Sequence, residues 1–252
     1  MSLFEQFKAL YARSPCPVAY HGWVKRLVET QEVAATTYLV DDLDEQYLLE
    51  QMLDDVKPRY RQGTEHMHYL LKTPFRYPPL KYGSRFGTRL LPSYFYASED
   101  EQATLAEVAY YRFVFLAHMQ VTYDKPMRSQ HMMFSIEVKT PLCADLCLHD
   151  FASLHPELRS PKDYQLSQAV GHYIHAQADT DVIRYYSART SDGVNVAIIN
   201  PQAIASSSPQ NCQNCVCLTL SDKVSFSRHD NGLPVTFYRQ DFLLDGELPL
   251  PA

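Results

Sequence analysis

Apolar residues recur along this chain at two spacings, and the change from one to the other divides it into elements. Residues 3 to 12 have helical spacing. In DDLDEQYLLEQMLDDVKP, Leu48, Leu49, Met52 and Val56 fall at three- and four-residue intervals and predict an amphipathic helix. Asp42 and Glu45 have capping-box spacing at its start, and Pro58 ends it. A second strong helix is predicted from Ser98 to about Ala117, with Ser98 and Glu101 again spaced as a capping box. HMMFSIEVKT then alternates, with Met132, Phe134, Ile136 and Val138 on one face, the pattern of a half-buried strand. SPKDYQLSQAVGHYIHAQ predicts a helix with Ser160 as cap, Pro161 at its first position, and Leu166, Ala169, Val170 and Tyr173 on one stripe. Short strands follow in VIRYYS, VNVAII and CVCLTL, and VSFSRHDNGLPVTFYR reads as a hairpin turning at Asn231 and Gly232.

Helices that interrupt a mainly short-stranded sheet predict an α+β class. The first third reads as a mainly helical extension, residues 1–72, packed on a core of residues 73–252 that begins at a proline-rich turn. No internal repeat or low-complexity tract occurs. At 252 residues and 46% hydrophobic content the chain can bury a substantial core as one large domain or a domain with an extension.

Charge narrows the classes. A net charge of −6 argues against general nucleic-acid binding, which needs a basic surface to displace phosphate counterions. Between His66 and Ser98, however, there is no acid, while Lys72, Arg76, Lys81, Arg85 and Arg89 give that segment +5 and leave −11 on the rest. It is either a solvated basic loop or a site for a small phosphorylated anion. The start, MSLFEQFKALYARSPCPVAYHGW, lacks the basic and apolar regions of an export signal, and no stretch approaches about 18 uncharged apolar residues, so no membrane association is expected. Six unevenly spread cysteines do not make a disulfide scaffold; the expected location is a reducing cytoplasm.

Glu107 interrupts the apolar helix of YFYASEDEQATLAEVAYYRF, where its neighbours at three and four residues are Ala103, Tyr110, Tyr111 and Val114. An unpaired buried charge costs several kcal/mol, roughly, so this carboxylate requires either a structural arginine partner or a cleft. Cys212 and Cys215 have C-x-x-C spacing beside Cys217, and His172 and His175 are three apart on a helix, but neither pair is completed into a metal site; buried strand thiols are the expectation and no metal is expected. No dinucleotide-binding glycine motif, phosphate-binding loop or nucleophile elbow occurs.

TPFRYPPLKYGSRFGT, FYASEDEQATLAEVAYYR, DYQLSQAVGHYIHA and VIRYYSARTSDGVNVAIINP, taken together and in this order from about residue 73 to residue 201, resemble the RES-domain family, named for its Arg, Glu and Ser. Upstream, WVKRLVETQ and LVDDLDEQYLLEQML also look like the N-terminal region of longer members. The family's arginine falls on Arg85, its tyrosine on Tyr96, its glutamate on Glu107 and its serine on Ser187. Two departures are mild: Ala103-Thr104 stands where the family often has Thr-Ala, and the glycine-rich run after the arginine is reduced to Gly87.

The resemblance implies an ADP-ribosyltransferase-like split, curved β-sheet with flanking helices around an NAD cleft. It also implies a toxin that consumes NAD as its substrate and is paired with an Xre-type antitoxin that covers the cleft. Acceptors in the family are water, inorganic phosphate or a protein side chain, so an NAD glycohydrolase, an NAD phosphorylase and a protein ADP-ribosyltransferase all remain open, as does homo-oligomerisation. A catalytically silent binding module is the reading from another class, and the presence of all four family residues counts against it. On the family reading Glu107 stabilises the cationic ribose, Arg85 binds phosphate or ribose, Tyr96 walls the nicotinamide, and Ser187 orients Glu107 or the substrate.

Overall fold

The computed structural model describes residues 1–30, 39–78, 83–120, 125–177, 179–228 and 232–250. Within them lies an α+β fold built on an eight-stranded mixed sheet: β1 (Val18–Glu29), β2 (Phe95–Ser98), β3 (Met127–Asp145), β4 (Val182–Tyr186), β5 (Val194–Ile198), β6 (Gln210–Thr219), β7 (Lys223–Arg228) and β8 (Val235–Tyr238). The helices are α1 (Leu3–Tyr11), α2 (Leu43–Asp55), α3 (Tyr69–Lys72), α4 (Glu101–Ala117), α5 (His155–Leu158) and α6 (Gln165–Ala176).

β3 is the spine. Its 19 residues pair with β1 along one edge, from Val18↔Cys143 to Glu29↔His131. Its other edge takes β6 antiparallel in the first half and β4 parallel over Cys143–Asp145 at the end. β2, β5 and β4 form a second antiparallel set. The two sets meet at that short parallel segment and at one further register pair, Lys25↔Ser98 between β1 and β2. Strands this weakly joined leave an opening between the sets.

Apolar side chains collect in three clusters. One packs α1 and α6 on β4 and β5 through Phe7, Phe151, Val170, Ile174 and Ile183. A second fills the space between β1, β2, β3 and α3 with Val24, Leu71, Phe95, Phe134 and Ile136. The third seats α4 on β6, β7 and β8 through Ala106, Ala109, Tyr110 and Phe113. Full burial of a side chain such as Phe113 stabilises by about 1.5–3 kcal/mol.

Several sequence expectations shift. The cap of α4 is Asp100, whose Oδ1 accepts from Ala103 N at 2.7 Å. Ser98 instead closes β2 and donates to Asn195, so the capping-box spacing was a coincidence of two polar residues near a helix start. Likewise α6 begins at Gln165, because the Ser160 hydroxyl caps a preceding turn by accepting from Asp163 N at 3.0 Å. In α2 no residue is buried: Leu48, Met52 and Val56 of the expected stripe are exposed, an outcome that periodicity alone does not reveal. Residues 1–72 are also less helical than expected, since β1 contributes 12 residues to the sheet. Met132 is half-buried while its strand neighbours Phe134, Ile136 and Val138 are fully buried. β7 and β8 pair from Lys223↔Tyr238 to Phe226↔Val235 as a hairpin requires; its expected turn residue Asn231, like Lys81, lies outside the described residues.

Candidate active site

Glu107 stands on α4 beside the opening between the two strand sets, and it has both a partner and a cleft. Its Oε1 accepts from the Ser187 hydroxyl at 2.9 Å and from Asn195 Nδ2 at 2.8 Å. Asn195, on β5, is oriented in turn by the Ser98 hydroxyl, which donates to its Oδ1 at 2.7 Å. Oε2 lies 3.8 Å from Arg189 Nε, near enough for Coulomb attraction and too far for a hydrogen bond. Arg189 is itself buried, its guanidinium 3.4 Å over the Tyr110 ring, and its Nε has no hydrogen-bond partner among the described residues. One carboxylate oxygen is thus fixed by two neutral donors and the other faces a cation at a distance.

Ser187 follows β4 in a tightly fastened loop. Arg159 donates to the carbonyls of Ser187, Thr190 and Ser191 at 3.0, 2.7 and 2.8 Å. Ser187 N donates to Gly193 O at 2.7 Å, and the Ser187 hydroxyl accepts from Arg189 N at 3.0 Å. A Cβ at Gly193 would stand 2.1 Å from Thr190 Oγ1 and 2.7 Å from Ala103 Cβ, so only glycine lets the loop approach α4.

The cavity beside Glu107 measures about 280 Å³, and its walls include Arg85, Tyr96, Tyr111, Tyr164, Tyr185 and Asn195. Arg85 is carried by a turn in which Ser84 N donates to Gly87 O at 2.7 Å. Its Nη1 donates to the carbonyls of Leu158 and Ser160 at 2.8 and 3.1 Å, and the guanidinium stacks 4.5 Å from the Tyr164 ring. Tyr96 projects from β2; its hydroxyl shares a 2.8 Å hydrogen bond with Ser84 Oγ and accepts from Phe86 N at 3.3 Å. Burial pushes the Tyr96 phenol up to about 12, which keeps it neutral at ordinary pH.

Three of the four expected residues, Arg85, Tyr96 and Glu107, therefore line one cavity. Ser187 is fully buried behind it and touches Glu107. Asn195, Arg189 and Arg26 were missed. Arg26, on β1, also borders the cavity; its Nη1 is buried without a hydrogen-bond partner among the described residues, and its guanidinium lies 4.6 Å from the Phe95 ring. Burial lowers its pKa to about 10, so it stays cationic at neutral pH. Arg26 interrupts the apolar run of WVKRLV as Glu107 interrupts its helix, whereas Arg189, in the polar SARTSDG, and Asn195, at an alternating position of VNVAII, carry no such signal.

Of the described cations in the basic segment, Arg85 alone lines the cavity. Lys72 and Arg76 lie over the Tyr60 ring, Arg76 pairs with Asp54 at 3.1 Å, and Arg89 is exposed. Cys212 is exposed while Cys215 and Cys217 are buried, because a strand turns residues three apart to opposite faces. His172 Nε2 is bonded to Thr88 Oγ1 at 2.6 Å. Among the described residues no three His, Cys, Asp or Glu side chains are placed to hold a metal ion, and no helix is long and apolar enough to cross a membrane.

A family model described as RES domain matches residues 59–219. No curated protein matches the chain. Among solved structures the chain is similar to one titled as the M. tuberculosis MbcT–MbcA toxin–antitoxin complex, at 14% identity and a TM-score of 0.47 over 84% of this chain and 90% of that one.

Proposed function

The chain belongs to the RES domain family, whose model spans residues 59–219, and from that premise we propose that it is a toxin that cleaves the nicotinamide–ribose bond of NAD. The observation that carries this reading is the Glu107 carboxylate, on a cavity wall and held by Ser187 and Asn195. The split between the two strand sets supports an ADP-ribosyltransferase-like cleft at that wall.

In the reaction the bond between ribose C1′ and the pyridinium nitrogen breaks, and its electron pair goes to the ring, which leaves as neutral nicotinamide. No acid is needed to protonate it. Positive charge develops at C1′ and the ring oxygen, as in glycoside cleavage, and Glu107 opposes that charge at close range. Fixed donors on Oε1 mean that the carboxylate need not reorganise as the charge appears. An acceptor oxygen then bonds to C1′ and releases its proton to solvent. Tyr96 supplies an aromatic wall, and Arg85 a charged fork whose remaining nitrogens are available to a ribose or phosphate oxygen. Ser187, buried and bonded to Glu107, acts as a positioning residue.

Water, phosphate and a protein side chain are all acceptors that this chemistry allows, and the expected partner is an Xre-type antitoxin covering the cleft. Incubation of the purified protein with NAD, with and without phosphate and with candidate proteins, is followed by mass spectrometry. The expected products are nicotinamide with ADP-ribose, its 1″-phosphate, or an ADP-ribosylated protein. Glu107→Gln should lower nicotinamide release by about 10²–10³-fold, the scale of one lost electrostatic stabiliser, with an unchanged melting temperature. A variant that releases nicotinamide at the wild-type rate would remove Glu107 from the mechanism.

A further inference from the structure

A second cavity, of about 360 Å³, lies against the first and shares Arg26, Ser84 and Tyr96 with it. Its other walls include Pro74, Tyr77, Pro92 and Tyr94, and no Asp or Glu is among its described lining residues. Two buried polar atoms on its walls have no hydrogen-bond partner among the described residues: Arg26 Nη1 and the Tyr94 hydroxyl. Unsatisfied buried groups are rare and costly, and two on one cavity point to a ligand that completes them.

We propose that this second cavity binds the adenosine diphosphate half of NAD, with Arg26 gripping the pyrophosphate at the boundary between the cavities and Tyr77 and Tyr94 receiving the adenine. The proposal rests on the NAD-cleaving reading of Glu107. If the scissile ribose lies beside Glu107 in the first cavity, the pyrophosphate must leave it across a wall. Among the described residues Arg26 is the cation on the wall shared by both; its Nη1 is buried and no carboxylate is bonded to it. A guanidinium matches phosphate oxygens and stays charged at neutral pH. Beyond it the dinucleotide continues as a flat purine, which aromatic rings and proline faces accommodate by stacking. The Tyr94 hydroxyl is free to bond a purine nitrogen or ribose hydroxyl.

The acid-free stretch of sequence acquires a different reason. All the cavity's described walls except Arg26 come from Thr73 to Tyr96, inside the segment that has no Asp or Glu. The described cations of that segment are engaged elsewhere or exposed, so what it brings to this cavity is the absence of negative charge, and β1 brings the positive one. A dianionic pyrophosphate would be repelled by even one carboxylate here.

The test is calorimetric titration of the full-length protein with ADP, alongside NAD cleavage. Wild type should bind ADP, and ADP should inhibit cleavage competitively. Tyr77→Ala, at an exposed ring, and Tyr94→Phe, which removes only the hydroxyl, should each weaken ADP binding and raise KM for NAD about three- to tenfold, with kcat changed less than twofold. Arg26→Lys, which keeps the charge and loses the fork, should weaken ADP more than it weakens nicotinamide mononucleotide. If wild type cleaves NAD but the three variants bind ADP as wild type does, the second cavity is not the adenosine site and the role of Glu107 stands. If ADP binding is lost in the variants but wild type cleaves no NAD, the cavity keeps its ligand class and the cleavage reading falls.

Discussion

Glu107 Oε1 has two donors, and they are not equivalent. Asn195 is fixed by Ser98, and Ser187 by the backbone of Arg189, so removal of either loosens one oxygen without freeing the other donor to compensate. A hydrogen bond to a charged group contributes about 1.5–3 kcal/mol, and 1.4 kcal/mol is tenfold in rate. Asn195→Ala and Ser187→Ala should therefore each lower kcat for nicotinamide release about 10- to 100-fold while KM moves little. Because both bonds converge on one atom, the double variant should lose less than the product of the two effects, which steady-state kinetics of all four proteins would measure. The four family residues were legible as a set only through their order in the chain. Periodicity alone reached Glu107, whose neighbours made a carboxylate conspicuous. It missed Arg189 and Asn195 because a single polar residue in a strand or loop carries no spacing of its own, and their partners lie 82 and 88 residues back along the chain.

At the scale of elements, α6 reaches the site through a close approach. A Cβ on Gly171 would stand 1.8 Å from the Phe86 carbonyl oxygen, so the helix lies directly on the turn that carries Arg85 and the Phe86 amide bonded to Tyr96. Gly171→Ala forces that turn away. It should cost about 1–3 kcal/mol by overpacking, at about 2–4 °C of melting temperature per kcal/mol, and raise KM for NAD; calorimetry and kinetics on one preparation would show both. β3 carries a second testable feature, His131, buried between β1 and β6. Burial, then the Arg112 charge, lower its pKa, so the folded state binds the proton less well than the unfolded chain does. Stability from the neutral ring is present above the ordinary histidine range near 6.5 and is lost as pH falls below it. In urea titrations the drop in midpoint from pH 7.5 to pH 5.5 should be smaller for His131→Gln than for wild type. Strands and helices with one clean apolar face, β3 to β8 and α4, were readable from the sequence. β1 was not: Tyr20, Trp23 and Arg26 are only half-covered, so VAYHGWVKRLVE never settles into alternation.

For the whole molecule, that unread strand decides where the functional unit begins. The family match starts at residue 59, yet β1 pairs with β3 from His131 to Cys143, makes the Lys25↔Ser98 join to β2, and places Arg26 on both cavities. The two strand sets are otherwise linked by the parallel segment of β3 and β4, where Arg184 pairs with Glu99 at 2.6 and 3.0 Å and with Asp145 at 3.1 and 3.2 Å, and Tyr20 of β1 donates to Glu99 at 3.0 Å. Residues ahead of the match thus close one side of the cleft and complete a charge network across the seam. A fragment of residues 59–252 would expose the edge of β3 as unpaired backbone, uncover Val24 and Leu27 contacts in two core clusters, and open the cleft to solvent. Expressed alone it should aggregate or melt without a cooperative transition and release no nicotinamide. A fragment with the full-length melting temperature and turnover would instead establish that β1 belongs to an appendage and that the seam is closed without it.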